Sequence, residues 1–398
     1  MNSKTKISKS QNVLIAIDKF KGSLTSLRAA NSIVKGFRNR EDADKNSQKH
    51  NFQICSMADG GDGSTIAMEI ALGNRAKRLS IKAHDPIGRE IVADILLIDG
   101  NTAFIEMALF SGLSLLTPNL YTPMTASTYG FGEAIRTAIL EYKVKRVILG
   151  IGGSATNDGG IGLLSALGFT FSLSTEFPSR SIAFFMKKIT AFSDASIDEF
   201  TPGLREVQFQ VACDVTNPLL GENGATMIYG PQKGADSIDL QNLEEGMVKW
   251  AEAVANWKKT KGDAKDYSLQ EGAGAAGGVG FALSAILGAE LLPGWKLFSS
   301  LVELEKKIQE ADYVITGEGC FDLQSISGKL PLGISLLCRK FHKPLYILCG
   351  KSTVEESCIS EMNIKKIYSL SDIETDLDKS MKNASQLLEN LIACSDLP

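Results

Sequence analysis

Six glycines fall within thirteen residues in the run Gly150-Ile-Gly-Gly-Ser-Ala-Thr-Asn-Asp-Gly-Gly-Ile-Gly162, directly after the apolar stretch Arg146-Val-Ile-Leu149. A strand that empties into such a loop and then into a helix can hold phosphate. Glycine lets bare backbone approach an anion, successive N–H groups converge on it, and the helix start adds its positive dipole end. Gly152, Gly153, Ser154 and Asn157 are therefore expected to contact phosphate. Asp158 has two readings, a ligand of Mg²⁺ or the cap of the helix that follows.

Other runs carry chemistry-bearing residues at similar places. Asp59-Gly-Gly-Asp62 sets two carboxylates beside glycines but lacks the alternating oxygen ligands of an EF-hand loop. Asp62 reads as a helix cap, and Asp59, just past a strand, as the more suggestive of chemistry. Gly272-Ala-Gly-Ala-Ala-Gly277 matches G-x-G-x-x-G without a clear preceding strand, and Gly150-x-Gly152-x-x-Ala155 has no ribose-binding acid in a regular element near twenty residues on. Both favour phosphate or substrate binding over a dinucleotide, with Gly274 and Gly277 as candidates. Gly328-Lys329 and Gly350-Lys351-Ser352 lack the upstream glycine of a Walker A loop. What remains is a set of loops bearing Lys21, Ser23, Asp59, Asp214, Asn217, Gln232, Lys233 and the stretch from Thr316 to Lys329. Cations and carboxylates on glycine loops suit phosphoryl transfer.

The elements that must position these loops alternate. Val13–Ile17 reads as a buried strand followed by a helix over Thr25–Phe37, and Phe52–Met57 leads through the Asp59 loop into a helix ending at Leu72, capped by Gly73. Short β-like runs at Glu90–Leu97 and Thr102–Glu106 follow, then a helix over Thr125–Glu141 and the strand at Arg146. Residues 172–203 are turn-rich and weakly patterned. Strand Glu206–Cys213 precedes Asp214, and helices are expected over Gln241–Lys258 and Gly277–Gly288. The last hundred residues give strand Ala311–Thr316, a glycine turn, a helix to Phe341, strand Pro344–Cys349 and a helix over Leu377–Ile392. Such repetition implies a parallel sheet covered on both faces, with ligands at the carboxyl ends of its strands.

Composition narrows the class. The 398 residues suffice for two or three domains, and 44% hydrophobic with 22% charged residues is globular. A net charge of −4 without clustered cations argues against nucleic-acid binding. Seven scattered cysteines, none in C-x-x-C, argue against a disulfide framework or a zinc site and fit a cytoplasmic protein. Three separated histidines offer no metal or triad site and are expected at surface or interface positions. No apolar tract reaches the length of a membrane span or a signal core.

Taken together the chain resembles the bacterial type of glycerate kinase family that phosphorylates glycerate from ATP. The resemblance spans about Val13–Gly350 and rests on Phe20-Lys-Gly-Ser-Leu24, Ala58-Asp-Gly-Gly-Asp-Gly63, Ile105-Glu-Met-Ala108 with Ser111-Gly-Leu113, and Thr128-Tyr-Gly130. It rests equally on Gly150–Gly160, Ala212-Cys-Asp-Val215 with Asn217-Pro218, Gly230-Pro-Gln-Lys-Gly234, Gly272–Gly280 and Ile315-Thr-Gly-Glu-Gly319. Where the family usually has Arg-Ile-Asp after Gly-Glu-Gly and a His before Gly-Lys, this chain has Cys320-Phe-Asp322 and Ser327. Lys19 stands where many relatives carry Ser.

The resemblance implies a small-molecule kinase taking glycerate, ATP and Mg²⁺, with the 2-phosphate as product. Asp214 is expected to orient or deprotonate the hydroxyl and Lys21 to neutralise the phosphoryl group or the substrate carboxylate. Asp59 and Asp158 are the candidates for Mg²⁺, and Ser23, Asn217, Gln232, Lys233, Glu318, Asp322 and Lys329 for substrate or phosphate. The expected fold is α/β, a Rossmann-like three-layer domain (1–72, 119–200 and 295–398) with a smaller mixed α/β domain (73–118 and 201–294) inserted discontinuously and the active site in the cleft. An NAD-linked dehydrogenase, a kinase for another hydroxy acid and a non-catalytic sugar-acid sensor stay open on the residues alone.

Overall fold

The computed structural model describes residues 10–44, 47–120, 122–174, 181–323, 325–326, 329–355, 359 and 362–398, so Ser327 lies outside the described residues. The chain divides into two α/β units, Met1–Ala58 with Ile66–Gly73 and Trp295–Pro398, and Asp59–Thr65 with Asn74–Gly294.

The first unit holds five strands, numbered along the chain: β1 (Gln11–Ile17), β2 (His50–Ser56), β11 (Tyr313–Phe321), β12 (Leu345–Ser352) and β13 (Ile364–Ser369). They form a parallel sheet in the order β13-β12-β11-β1-β2. Val13 to Ile17 is an unbroken apolar run, the signature of a strand buried on both faces. Alternation sends Val13, Ile15 and Ile17 into one core with Ala29, Ile33 and Phe37 of helix Ser26–Ala43 and Ala384, Leu388 and Ile392 of helix Leu377–Cys394. Leu14 and Ala16 face the other way and are equally buried. The three-layer α/β expectation holds.

Two local readings are corrected in this unit. β11 runs through Gly317-Glu318-Gly319 to Phe321, where a turn was expected. Gly317 lets it, since a β-carbon there would lie 1.8 Å from the Leu348 carbonyl oxygen on the neighbouring strand. His50, expected at a surface or interface position, is buried within the unit, with Nδ1 2.9 Å from Glu41 Oε1 and its ring 4.8 Å from Phe37.

The second unit holds β3 (Ala76–His84), β4 (Glu90–Ile98), β5 (Thr102–Glu106), β6 (Arg146–Gly150), β7 (Thr170–Leu173), β8 (Ile189–Ser193), β9 (Gln208–Ala212) and β10 (Glu290–Leu292). Its main sheet is mixed, in the order β10-β9-β6-β5-β4-β3, parallel from β10 to β5 and antiparallel beyond. Residues 119–200, expected with the first domain, belong here, because β6 is hydrogen-bonded between β5 and β9. This makes the inserted unit the larger one, not the smaller.

The described residues of the stretch, 172–174 and 181–203, are also more regular than their pattern suggests. β7 and β8 pair antiparallel, and Phe171 and Phe192 pack on Trp250 of helix Ser237–Thr260 at ring-centroid distances of 5.7 and 5.2 Å. Aromatic anchors too sparse to show a period supply the burial. Among the described residues no helix is long and apolar enough to cross a membrane.

Candidate functional site

Three parallel strands of the second unit end side by side, with Glu106, Gly150 and Ala212 in register. The Asp59-Gly-Gly-Asp62 loop is seated on these ends. The Gly152 amide donates to the Gly60 carbonyl at 3.0 Å, and a β-carbon on Gly60, whose φ is +89°, would lie 2.7 Å from that of Ala212. The glycines here allow backbone to rest on backbone at the sheet edge where α/β folds take ligands.

Two expected acidic residues are brought to this edge, through the side chain of Asp214 and the main chain of Asp59. Asp214 Oδ1 accepts from the Gly294 amide at 2.8 Å, and Gly294 packs on the Asp59 carbonyl, which a β-carbon would approach to 2.5 Å. Asp59 Oδ1 accepts from the Gly61 amide at 2.9 Å. Asp214 is exposed and Asp59 half-buried. Asp62 is exposed beside the Gly153 turn, and Ser114 Oγ donates to its Oδ1 at 3.5 Å.

Glu106 belongs to this site and was quoted in the sequence only as part of a motif. Its two oxygens accept from the amides of Gly63 and Thr65 at 2.8 and 2.7 Å, the capping task expected of Asp62. Burial pushes its pKa above the usual range, those amides pull it down, and the nearby Asp62 charge adds to the rise. The available signal was a carboxylate ending the otherwise apolar, buried run Ala103-Phe-Ile105.

The glycine loop proves to be differently employed from the expectation. The amides of Gly152, Ala155 and Gly159 go to the carbonyls of Gly60, Ser111 and Gly277 at 3.0, 2.9 and 2.9 Å. Asp158 is fully buried and accepts from the Gly160 and Gly162 amides at 3.0 and 3.1 Å and from the Thr128 amide and hydroxyl at 2.8 and 2.7 Å. The anion at the start of helix Ile161–Ala166 is thus the chain's own carboxylate. Burial raises its pKa while the four donors oppose the rise. With four donors inside the unit on its oxygens, Asp158 is corrected from metal ligand to cap.

Its neighbours follow. Asn157 is buried, its Nδ2 donating to Thr226 Oγ1 at 3.1 Å while its Oδ1 has no hydrogen-bond partner among the described residues. Ser154 is also buried, which leaves Gly153, exposed and at φ +74°, with half-buried Gly152 as the open tip of the loop. Gly274 and Gly277 are buried packing positions. The Gly274 amide donates to the Asn217 carbonyl at 2.9 Å, and a β-carbon on Gly277 would lie 2.1 Å from the Thr156 carbonyl. Ala276, Gly277 and Gly278 are all left-handed, with φ of 54°, 68° and 90°.

Lys233 is 2% exposed, with Nζ donating to the Thr156 carbonyl at 2.6 Å. Burial pulls its pKa down to about 7 against the upward influence of Asp158. It does not reach a ligand directly, whereas Gln232 beside it is exposed. Asn217 spends its side chain within the turn, accepting from the Tyr229 hydroxyl at 2.7 Å and donating to the Asn223 carbonyl at 2.8 Å.

In the first unit the carboxyl ends of β11 and β12 gather charge. Cys320 stands in register with Lys351, and its thiol is pushed up by burial and by Asp322 and Glu318 and pulled down by Lys351 and Lys329. Expected Glu318, Asp322 and Lys329 are therefore neighbours. Lys351 joins them, although the sequence marked it only in a failed P-loop. Gly319 packs against the turn of Lys21, which is exposed between the bridged Phe20 and Leu24. Ser23 is corrected, since its hydroxyl donates to the Met381 carbonyl at 2.5 Å.

Comparison with known proteins bears on these sites. The model of the glycerate kinase family matches residues 13–394. The chain is 38% identical to glycerate 2-kinase of Escherichia coli K12, covering 94% of this chain and 93% of that one, and 36% identical to glycerate kinase of Halalkalibacterium halodurans, covering 95% of each. A crystal structure of a protein assigned as glycerate kinase 2 of Salmonella typhimurium LT2 superposes with a TM-score of 0.77 at 32% identity, over 96% of this chain and 98% of that one.

Proposed function

Because this chain belongs to the glycerate kinase family, we propose that it transfers the γ-phosphoryl group of ATP to the 2-hydroxyl of D-glycerate with Mg²⁺. Membership makes it a kinase, and the name of the Escherichia coli relative supports the 2-hydroxyl. The observation that supports the reading is that Gly294 bonds the Asp214 carboxylate and packs on the Asp59 main chain at the carboxyl ends of the parallel strands.

Among the described residues no group of three or more His, Cys, Asp or Glu could hold a metal alone. One or two carboxylates do fit Mg²⁺, which keeps waters and shares its remaining positions with substrate phosphates. Asp59 would hold it, with Asp62 at the same loop. When bound, the ion offsets charge on the phosphates.

Asp214, exposed and oriented by the Gly294 amide, accepts the hydroxyl proton or aligns the hydroxyl. In the first unit, Lys21, Lys329 and Lys351 are cations of the kind that phosphates or a carboxylate require. Most of the acceleration then comes from positioning and electrostatics.

The test is purified protein with Mg²⁺–ATP and D-glycerate, following ADP release and reading the product by phosphorus NMR. A 2-phosphate is expected, and a 3-phosphate would overturn the acceptor assignment. Asp214→Asn should lower kcat by about 10²–10⁴-fold if Asp214 is the general base. Near-normal turnover would remove it from the mechanism.

A further inference from the structure

We infer that Lys233 is a positioning residue for phosphoryl transfer, acting through the Thr156 carbonyl on the Ile151–Asp158 loop whose tip lies against Asp62. The inference rests on the kinase reading and extends it to a residue that touches no reactant.

The geometry isolates the lysine. Its Nζ lies 2.6 Å from a main-chain carbonyl, a bond that an uncharged amide could also make. Burying an ammonium instead costs several kcal/mol by order of magnitude, and the charge nearby is the equally buried Asp158. Where Lys233 holds its proton, the two groups place a buried cation and anion at the back of the loop, on Thr156 and Asp158, two residues apart on its backbone.

The loop transmits what happens there. Beyond Thr156, Asn157 is tied to Thr226 and Gly159 to Gly277 and Trp250, whose Nε1 donates to the Gly159 carbonyl at 3.0 Å. Before it, the Ala155 amide is tied to Ser111, the Gly153 carbonyl accepts from the Leu113 amide at 2.8 Å, and the Gly152 amide holds Gly60. A β-carbon on Gly153 would lie 2.8 Å from Asp62 Oδ2. With both flanks pinned, a displacement at Thr156 reaches the Asp59–Asp62 loop rather than dissipating in a mobile segment.

Lys233→Met removes the charge and the bond at similar length, and Lys233→Gln keeps an N–H donor without the charge. Steady-state kinetics on each below pH 7, where Lys233 holds its proton, with melting temperatures, should show kcat reduced roughly 10- to 100-fold in Lys233→Met, as for loss of a charge-assisted hydrogen bond. The KM for glycerate should stay within about threefold, because the side chain touches no substrate. Lys233→Gln should recover part of kcat.

A folded Lys233→Met with kcat within about threefold of wild type, changed only in melting temperature, overturns the proposal. If Lys233→Met does not fold, full activity of Lys233→Gln overturns the role of the charge. Amide hydrogen exchange without substrate separates this inference from the kinase reading. Faster exchange at Gly152–Thr156 in the variant supports the positioning role even if wild type does not turn over glycerate, and unchanged exchange defeats it.

Discussion

Replacing Asp158 with asparagine separates a metal ligand from an internal cap. The amide oxygen can take the place of Oδ2, keeping the Thr128 amide and hydroxyl and the Gly162 amide. The amide nitrogen then faces the Gly160 N–H, which Oδ1 accepted at 3.0 Å, so two donors meet in a dry site. An unsatisfied buried donor costs about 1–3 kcal/mol, and Lys233 loses its opposite charge as well. Relief of carboxylate desolvation returns part of this, leaving a net loss of about 2–4 kcal/mol. For a unit of this size that is a fall in melting temperature of roughly 4–16 °C.

The assay is calorimetric or circular-dichroism melting, paired with Mg²⁺ titration of the folded enzyme's turnover. As a cap, Asp158→Asn lowers the melting temperature and leaves half-saturating Mg²⁺ within about twofold. Melting within about 2 °C of wild type together with a large rise in the Mg²⁺ requirement would refute the reasoning and return Asp158 to the metal. The double variant with Lys233→Met should cost less than the sum of the singles, because each single strands the other's buried charge.

Glu106→Gln can serve only one of the Gly63 and Thr65 amides, so kcat should fall roughly 10- to 100-fold in steady-state assays. Because burial raises its folded pKa above 4.5, the Glu106 contribution to stability is full below that pH and is lost as pH climbs through the folded value, a loss Glu106→Gln should not show in pH-dependent urea melts. Gly277→Ala puts a methyl 2.1 Å from the Thr156 oxygen at φ +68° and should cost about 2–4 kcal/mol in chemical denaturation. Ala276→Gly, at φ +54°, should instead gain up to about 1 kcal/mol. Burial pulls the folded Lys233 pKa down to about 7, below its unfolded value, so wild-type stability should gain on Lys233→Met as pH rises from 7 to 10.5, and parallel stability curves would contradict that lowering by burial.

Residue type and order were enough to determine the α/β class and the kinase family. Val13–Ile17 declares a strand buried on both faces because no polar residue interrupts it, and Thr25 and Gly73 mark helix ends through local chemistry. Those signals are carried within a few residues of chain. Tertiary structure decided which glycines face a ligand and which admit a neighbour's backbone, since glycine looks the same in either use. It moved Asp158 to a cap because Thr128, 30 residues earlier, meets it, and turned Lys233 inward because its acceptor lies 77 residues away. It also brought Glu106 to a loop 43 residues before it and placed β6 between β5 and β9. A hydrogen bond's partner and a strand's neighbours are properties of the folded backbone, and local pattern does not record them.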